Sequence, residues 1–466
     1  MMHCLVARGC TDHLVARRNA MPVPIVCLDA RVRQWAACFS QCFSKPQFQH
    51  FVTVLLGLLL CQDTRTLTSL RRHVAGGPSI ASLSRFIARS PWDEEAVVRA
   101  WLARFQTQVL PVVQAEREQQ RQTRPPQVGR PKEPFVTGDL IGDDSTLAKP
   151  KGKRMEGVGH HYSSTADARV RGHSLVQGLY VLLGRWCPLA PQLYQQKSVC
   201  TARGVPFQSK IDLMEQHIRT FEPVAGTRTH VLLDSWYGAK RLWKAARARH
   251  FLITTGLKAN RSLRVPDPEA EQGWRWQQLS AYAASLTADD FTLMDRPHQG
   301  DDSQEPRQVY IHVVQTRVRS LYRCQLVIAR PALDAPASAL RYGASSDLDA
   351  DMTTLLGHIA ARWDIEVFFS DTKDLLGLDH YQLMTTRAIV RFWTLVLATY
   401  TLIEEERARL AQEQQRHVTI GEARRMLQRL HYRSLLGWIE QELHSGVDAD
   451  ALYERLTAYP PRNVQR

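Results

Sequence analysis

No apolar stretch of this sequence is long enough to cross a bilayer. The longest, Phe51 to Cys61, falls short of the roughly 20 residues a spanning helix needs and reads as a buried helix instead. No signal peptide is expected, because Arg17, Arg18 and Arg33 interrupt any early apolar core. The 9 cysteines are scattered, Cys38 and Cys42 form the only close pair, and no Cys-x-x-Cys occurs. That spacing speaks against a zinc ribbon and a disulfide framework, so a reducing cytoplasm is the expected location. There is no G-x-x-x-x-G-K-[ST] loop, hence no sign of an ATP-driven step. Internal repeats and low-complexity tracts are missing too. Acidic residues are in deficit: 46 Asp and Glu face 60 Lys and Arg, a net charge of +14. A field of that sign draws a polyanion by steering and counterion release. An anionic membrane or a ribosome would also suit it, nucleic acid better. An enzyme for small neutral substrates has no need of it.

What is present suffices for two or three domains with a sizeable core: 466 residues, 44% of them hydrophobic and 23% charged. Met21 is a candidate alternative start, since the residues before it carry little pattern. Up to about residue 120, apolar residues recur at spacings of three and four. This predicts helices broken at GGPS and SPWD, with Ser79, Ser82 or Asp93 as N-caps. Residues 116–134, EREQQRQTRPPQVGRPKEP, read as a basic linker. The pattern then changes. FVTGDLIGDDS and RGHSLVQGLYVLLGRW predict strands, and Phe207, Ile211, Met214 and Ile218 predict an amphipathic helix ending near Pro223. HVLLDSWYG, KRLWKAARAR and HFLITTGL predict strand, helix and strand, the alternation of an α/β sheet flanked by helices. From 259 to 345, RQVYIHVVQTRVRS and LYRCQLVIARP alternate as an antiparallel pair among Pro-, Asp- and Glu-rich loops, which reads as an insertion. The rest of the chain is helical, with Gly377 a candidate C-cap.

Three groups of residues carry chemistry. In RWDIEVFFSDTK, a helix at about 100° per residue puts Arg362, Glu366 and Lys373 on one stripe, amid Trp363, Ile365, Val367, Phe368 and Phe369. The stripe fits a solvated ladder of i,i+4 pairs, or an acid gripped by two cations in a site. Asp364 and Asp371 lie about 140–160° away from Glu366 on that helix and stay outside any shared site. Asp234 ends an apolar strand, where α/β sheets bind ligands, although Asp is equally suited to cap the next helix. Asp143 and Asp144 end another strand, so one must point to each side of the sheet. Lys149, Lys151, Lys153 and Arg154 follow as a phosphate-contacting loop or a solvated one. His160 and His161, beside Tyr162, have no metal-ligand spacing to a second donor. Two of the carboxylates and Glu366 could together hold Mg²⁺, which prefers carboxylate, water and phosphate oxygens. Two such ions about 3.5–4 Å apart would serve an in-line phosphoryl displacement. Trp274 and Trp276 in GWRWQQL are either β packing or a stacking surface for a base.

DDST at 143–146, LLDSWYG at 232–238 and RWDIEVFFSDTKDLLGLDHYQ at 362–382 resemble the three catalytic blocks of DDE transposases of bacterial insertion sequences. The resemblance is to the subgroup with a β-rich insertion and an Arg-x3-Glu-x6-Lys spacing, and it covers roughly residues 130–395, including KPKGKRMEGVGHHYS and GHSLV. The family often has a Tyr where this chain has Ile359. The resemblance implies an RNase H-like catalytic core with catalytic, metal-holding acids Asp144, Asp234 and Glu366, the first chosen over Asp143 because it directly precedes Ser145. It implies two Mg²⁺ ions, with Mn²⁺ as a substitute. DNA phosphate would meet Arg362, Lys373, Lys149, Lys151, Lys153 and Arg154, and a flipped base would meet Trp276. The expected layout is a helical DNA-binding region with linker (1–130), the core (131–258 and 346–400) split by a β insertion (259–345), and a helical C-terminal region (401–466). The expected activity is cleavage at terminal inverted repeats and strand transfer into target DNA. A homodimer in a synaptic complex, nucleoid association and no membrane partner go with it. A domesticated or decayed copy that only binds DNA, and an RNase H-like nuclease without strand transfer, are the alternatives.

Overall fold

The computed structural model describes residues 23–24, 28–75, 77–123, 134–163, 166–295 and 308–457. Met21 and residues 124–133 of the expected linker lie outside the described residues. The chain opens with a short strand β1 (Val23–Pro24), then α1 (Ala30–Ala37), α2 (Lys45–Leu60), α3 (Leu67–Arg72), β2 (Val74–Ala75), α4 (Ile80–Ala88) and α5 (Glu94–Thr123). The long apolar run forms α2, buried from Phe51 to Leu60. Ser79 caps α4 by accepting from the Ser82 amide at 3.2 Å, as the capping pattern predicts. Helix α5 runs on to Thr123, well into the segment that reads as linker. Glu, Gln and Arg are good helix formers, and their polarity speaks of exposure rather than of coil.

The centre is one mixed sheet of 11 strands, and the fold is mixed α/β. In chain order come β3 (Val136–Ala148), β4 (Gly159–Ser163), β5 (Ala168–Leu182), β6 (Arg185–Pro188), β7 (Gln192–Tyr194), α6 (Lys197–Arg203), α7 (Lys210–Thr220) and β8 (Thr227–Leu233). Next are α8 (Lys240–Ala248), β9 (Leu252–Leu257), β10 (Ser262–Pro266), β11 (Trp274–Gln278), α9 (Leu279–Ser285), β12 (Thr292–Asp295), β13 (Gln308–Arg317), β14 (Arg323–Arg330) and β15 (Arg341–Ser345). The spatial order is β12-β13-β14-β15-β9-β8-β3-β5-β4, with β6 and β7 also on β5. Strands β3, β8 and β9 are parallel neighbours, and the other pairs are antiparallel. The alternating segments expected to form an insertion therefore do more than pair with each other. Through β15 on β9 they extend the central sheet, while β10 and β11 make a separate hairpin. Sequence alternation shows that a strand is amphipathic, not which edge it joins.

The C-terminal helices are α10 (Met352–Ala361), α11 (Asp364–Leu376), α12 (Thr386–Gln414), α13 (Ile420–His444) and α14 (Ala449–Thr457). The helix expected to carry Arg362 through Lys373 is interrupted: Arg362 ends α10, and Trp363 precedes α11. Both keep right-handed helical dihedrals, so the Arg362–Glu366 contact survives the joint. Gly377 ends α11 at φ 65°, with its amide bonded to the carbonyls of Lys373 and Thr372. Ile365, Phe368, Phe369 and Leu376 seat α11 in the core, Phe368 meeting Tyr400 of α12 edge-on at 4.9 Å. Removing a ring so buried costs about 3–5 kcal/mol. Fully buried Arg391 of α12 donates to Glu94 and to the carbonyls of Ile87, Ser90 and Trp92, binding the N-terminal helices to this core.

Candidate active site

Three neighbouring elements converge on one cleft of about 2000 Å³, lined by Asp143, Asp144, Asp234, Arg362, Glu366 and Lys373 among others. Strand β3 supplies the adjacent acids, and its pleat sends them to opposite faces of the sheet. Asp139 and Asp143 face α10 and α11: Asp139 is 3.4 Å from His358, and Asp143 Oδ2 is 3.5 Å from Arg362 Nη1. Gly142 and Asp144 face α7. A Cβ at Gly142 would collide with Met214, and the Lys210 ammonium pairs with Asp144 Oδ2. Asp144 Oδ1 accepts from the Tyr237 hydroxyl at 3.0 Å. Burial and the nearby acids push that hydroxyl well above its usual range, so it stays protonated as a donor.

Asp234 leaves the end of β8 and accepts from the amides of Trp236 at 2.9 Å and Tyr237 at 3.2 Å. It thus caps a single turn and faces the cleft at once; the two readings of its sequence position were not exclusive. Burial raises its pKa, and those amides and Arg362 pull it back. Asp143 is pushed up to about 7, first by burial and then by Asp234 and Asp144. Three carboxylates therefore crowd one another in a poorly solvated place. Glu366 lines the same cleft from α11, its Oε1 accepting from Arg362 Nη2 at 2.8 Å. Arg362 therefore lies between Asp143 and Glu366. Lys373 also lines the cleft, but two helical turns, about 10 Å, separate it from Glu366. Asp364 and Asp371 stay apart, each pushed up to about 6, chiefly by burial.

The basic loop divides. Lys149 turns inward, donating to the carbonyls of Asp379 and Tyr381 with its ammonium 3.8 Å from the Tyr381 ring centre. Lys151, Lys153 and Arg154 are exposed. Trp276 is partly exposed and meets Trp274 edge-on at 5.5 Å, while Arg264 covers the Trp274 ring at 3.9 Å. His161 is buried and pushed down to about 4, hence neutral at pH 7. Residues given no site role from the sequence complete the cleft, namely Lys210, Arg169, Arg330, Arg341 and the exposed rings of Tyr162, Trp236 and Trp363, while buried Tyr237 supports Asp144 from behind its lining. The order DSWYG held a signal for Trp236 and Tyr237, because their rings come two and three positions after an acid. Lys210 carried none, being one cation at the start of an ordinary amphipathic helix.

Among the described residues, no group of three or more Asp, Glu, His or Cys is arranged to hold a metal ion as the side chains stand. The donor chemistry nevertheless fits a hard divalent cation: carboxylate oxygens crowd together, one acid is raised by burial and then by its acidic neighbours, and Lys210 and Arg362 turn their charges onto the cluster. No helix among the described residues is long and apolar enough to cross a membrane.

No curated protein matches the chain by sequence. Among solved structures, the chain is similar to the piggyBac transposase in a synaptic complex with hairpin DNA, at 12% identity and a TM-score of 0.40, covering 94% of this chain and 83% of that one. That likeness is too slight to bear on the fold or the chemistry. The sequence match is firmer: the family model for the DDE superfamily endonuclease spans residues 38–313, more than half of the chain, taking in Asp143, Asp144 and Asp234 and ending before Glu366. The chain belongs to the DDE superfamily of endonucleases.

Proposed function

We propose that this protein is a transposase that cuts DNA at the ends of an insertion sequence and joins the freed 3′-OH ends to target DNA. One observation carries the reading: acids from three distant segments, Asp143–Asp144, Asp234 and Glu366, meet in a single cleft lined by cations and exposed rings. Members of this superfamily generally use divalent metal ions. Asp144, Asp234 and Glu366 would hold them, Mg²⁺ or Mn²⁺ in its place. Bound ions would supply an activated hydroxyl and stabilise the leaving oxygen of a phosphodiester.

The remaining work falls to the chain. Asp234 is fixed by its two amide donors, and Asp144 by the Tyr237 hydroxyl. Lys373, Arg362, Lys151, Lys153 and Arg154 would meet phosphate oxygens, lysine as a point charge and arginine with a fork of donors. Trp236 is 59% and Trp363 46% exposed beside the acids, so each offers a face on which an unpaired base can stack; Trp276 on its hairpin is a more distant third. The helical region up to residue 130 would read the terminal inverted repeats, and a homodimer would hold two ends together. Residues 131–258 and 346–400 form the catalytic core in this division, with 259–345 as the insertion and 401–466 as the C-terminal helices.

Asp234→Asn and Glu366→Gln should abolish Mg²⁺-dependent cleavage of element-end DNA while leaving its binding intact. Cleavage surviving in both variants would overturn the site. Joined products on a target plasmid separate a transposase from a nuclease of the same family, which would yield nicks alone.

A further inference from the structure

Lys210 stands at the first position of α7 and reaches back over the sheet to Asp144. The pair is mostly enclosed, with side-chain exposures of 20% and 15%. Its ammonium lies 5.4 Å from the ring centre of Tyr194 and 6.0 Å from that of Trp236. Asp144 is also reached by Tyr237 at 3.0 Å and by Ser174 at 3.4 Å. Lys210, Tyr194 and Trp236 border the same open cleft as Asp143, Asp144, Asp234 and Glu366. A divalent ion at Asp144 would therefore have to displace a cation already there. Lysine suits such a role, because its charge is compact and rides on a flexible four-carbon stem. A phosphodiester backbone entering the cleft offers that ammonium another anion within reach.

We propose that Lys210 makes metal binding depend on DNA: it holds the Asp144 carboxylate in the free protein and moves to a backbone phosphate when DNA enters, releasing Asp144 to the metal. The proposal rests on the reading of Asp144 as a metal ligand. By linkage, DNA must then tighten the metal as much as the metal tightens DNA. Such a device would keep free enzyme from assembling a cutting centre away from its substrate. Lys210 is a positioning residue in this scheme, acting through Asp144.

The test is Mn²⁺ binding by the full-length chain, read from the electron paramagnetic resonance of free Mn²⁺, with and without a generic DNA duplex. In the parent, the duplex should tighten Mn²⁺ about tenfold, within the usual range of couplings between sites. Lys210→Met should bind Mn²⁺ about tenfold more tightly without DNA and lose most of the dependence on the duplex. Lys210→Arg keeps the charge and should retain the coupling, which guards against a folding defect in the methionine variant. Identical Mn²⁺ affinities and identical coupling in parent and Lys210→Met would overturn the proposal. Asp144→Asn separates the two failures. Lost Mn²⁺ binding there upholds the ligand reading, whereas unchanged binding overturns that reading and the proposal with it.

Discussion

The two faces of β3 hold their acids in different ways. On the α11 side, Asp143 is buried beside Asp234 and shares Arg362 with Glu366, and its carboxyl is pushed up to about 7. On the α7 side, Asp144 carries a full complement of donors from Lys210, Tyr237 and Ser174. One face presents a carboxylate short of positive charge; the other presents one already supplied with it. An adjacent pair of acids is thus not a redundancy. The strand pleat gives each a separate electrostatic environment.

The largest effect expected breaks this comparison directly. Asp144→Asn should slow Mg²⁺-dependent cleavage by at least about 10³-fold, since a metal-held transition state is worth several kcal/mol and about 1.4 kcal/mol is a factor of ten. Asp143→Asn should slow it by no more than about tenfold, because its loss removes repulsion as well as charge. Single-turnover nicking of an element-end duplex measures both. If the ranks are reversed, the α11 face alone holds the metal, and Asp144 is a structural partner of Lys210.

A second contrast of the same kind runs through the basic loop. Lys153→Ala should lower the slope of log affinity against log salt by about 0.9, the loss of one phosphate contact on B-DNA. Lys149→Met should leave the slope alone and lower the melting temperature, because its ammonium serves two internal carbonyls. Fluorescence anisotropy across a salt series, with a thermal melt of each variant, tests the pair. A changed slope in Lys149→Met would put that lysine on the DNA.

These contrasts also mark how far the sequence could be read. The α/β alternation and the cap at Gly377 follow from periodicity and turn chemistry, both local properties, whereas the approach of three separated acidic blocks was expected only from the family resemblance. The place of β12 to β15 in the sheet was not legible, since the pairing of β15 with β9 joins residues about 90 positions apart and alternation names no partner. Nor was the face that each of Asp143 and Asp144 takes, which follows from Met214 packing against Gly142 and from Arg362 reaching Asp143 at the joint between α10 and α11. Lys149 and Lys153 look alike in the chain and differ only because Asp379 and Tyr381 fold back over one of them.

Helix α11 repeats the contrast on a smaller scale and allows its gentlest test. Glu366 faces the cleft, whereas Asp371 is enclosed near Glu404 and Tyr400, its carboxyl pushed up to about 6 by burial and then by Asp374 and Glu404. The usual aspartate value is about 3.9, so between that and 6 the folded state binds more protons than the unfolded one. Stability contributed by the protonated form is therefore lost as pH rises through this window and is gone at neutral pH. Asp371→Asn keeps the shape and removes the charge, so it should stabilise the protein at pH 7 by about 1–2 kcal/mol and by almost nothing near pH 3.5. Thermal melts at the two pH values measure this. Mg²⁺-dependent cleavage should stay near the parent rate, because the group lies on the face of α11 turned from the acids. A variant that is no more stable at pH 7, or that loses cleavage as Glu366→Gln does, would mean that the two faces of α11 are not separate.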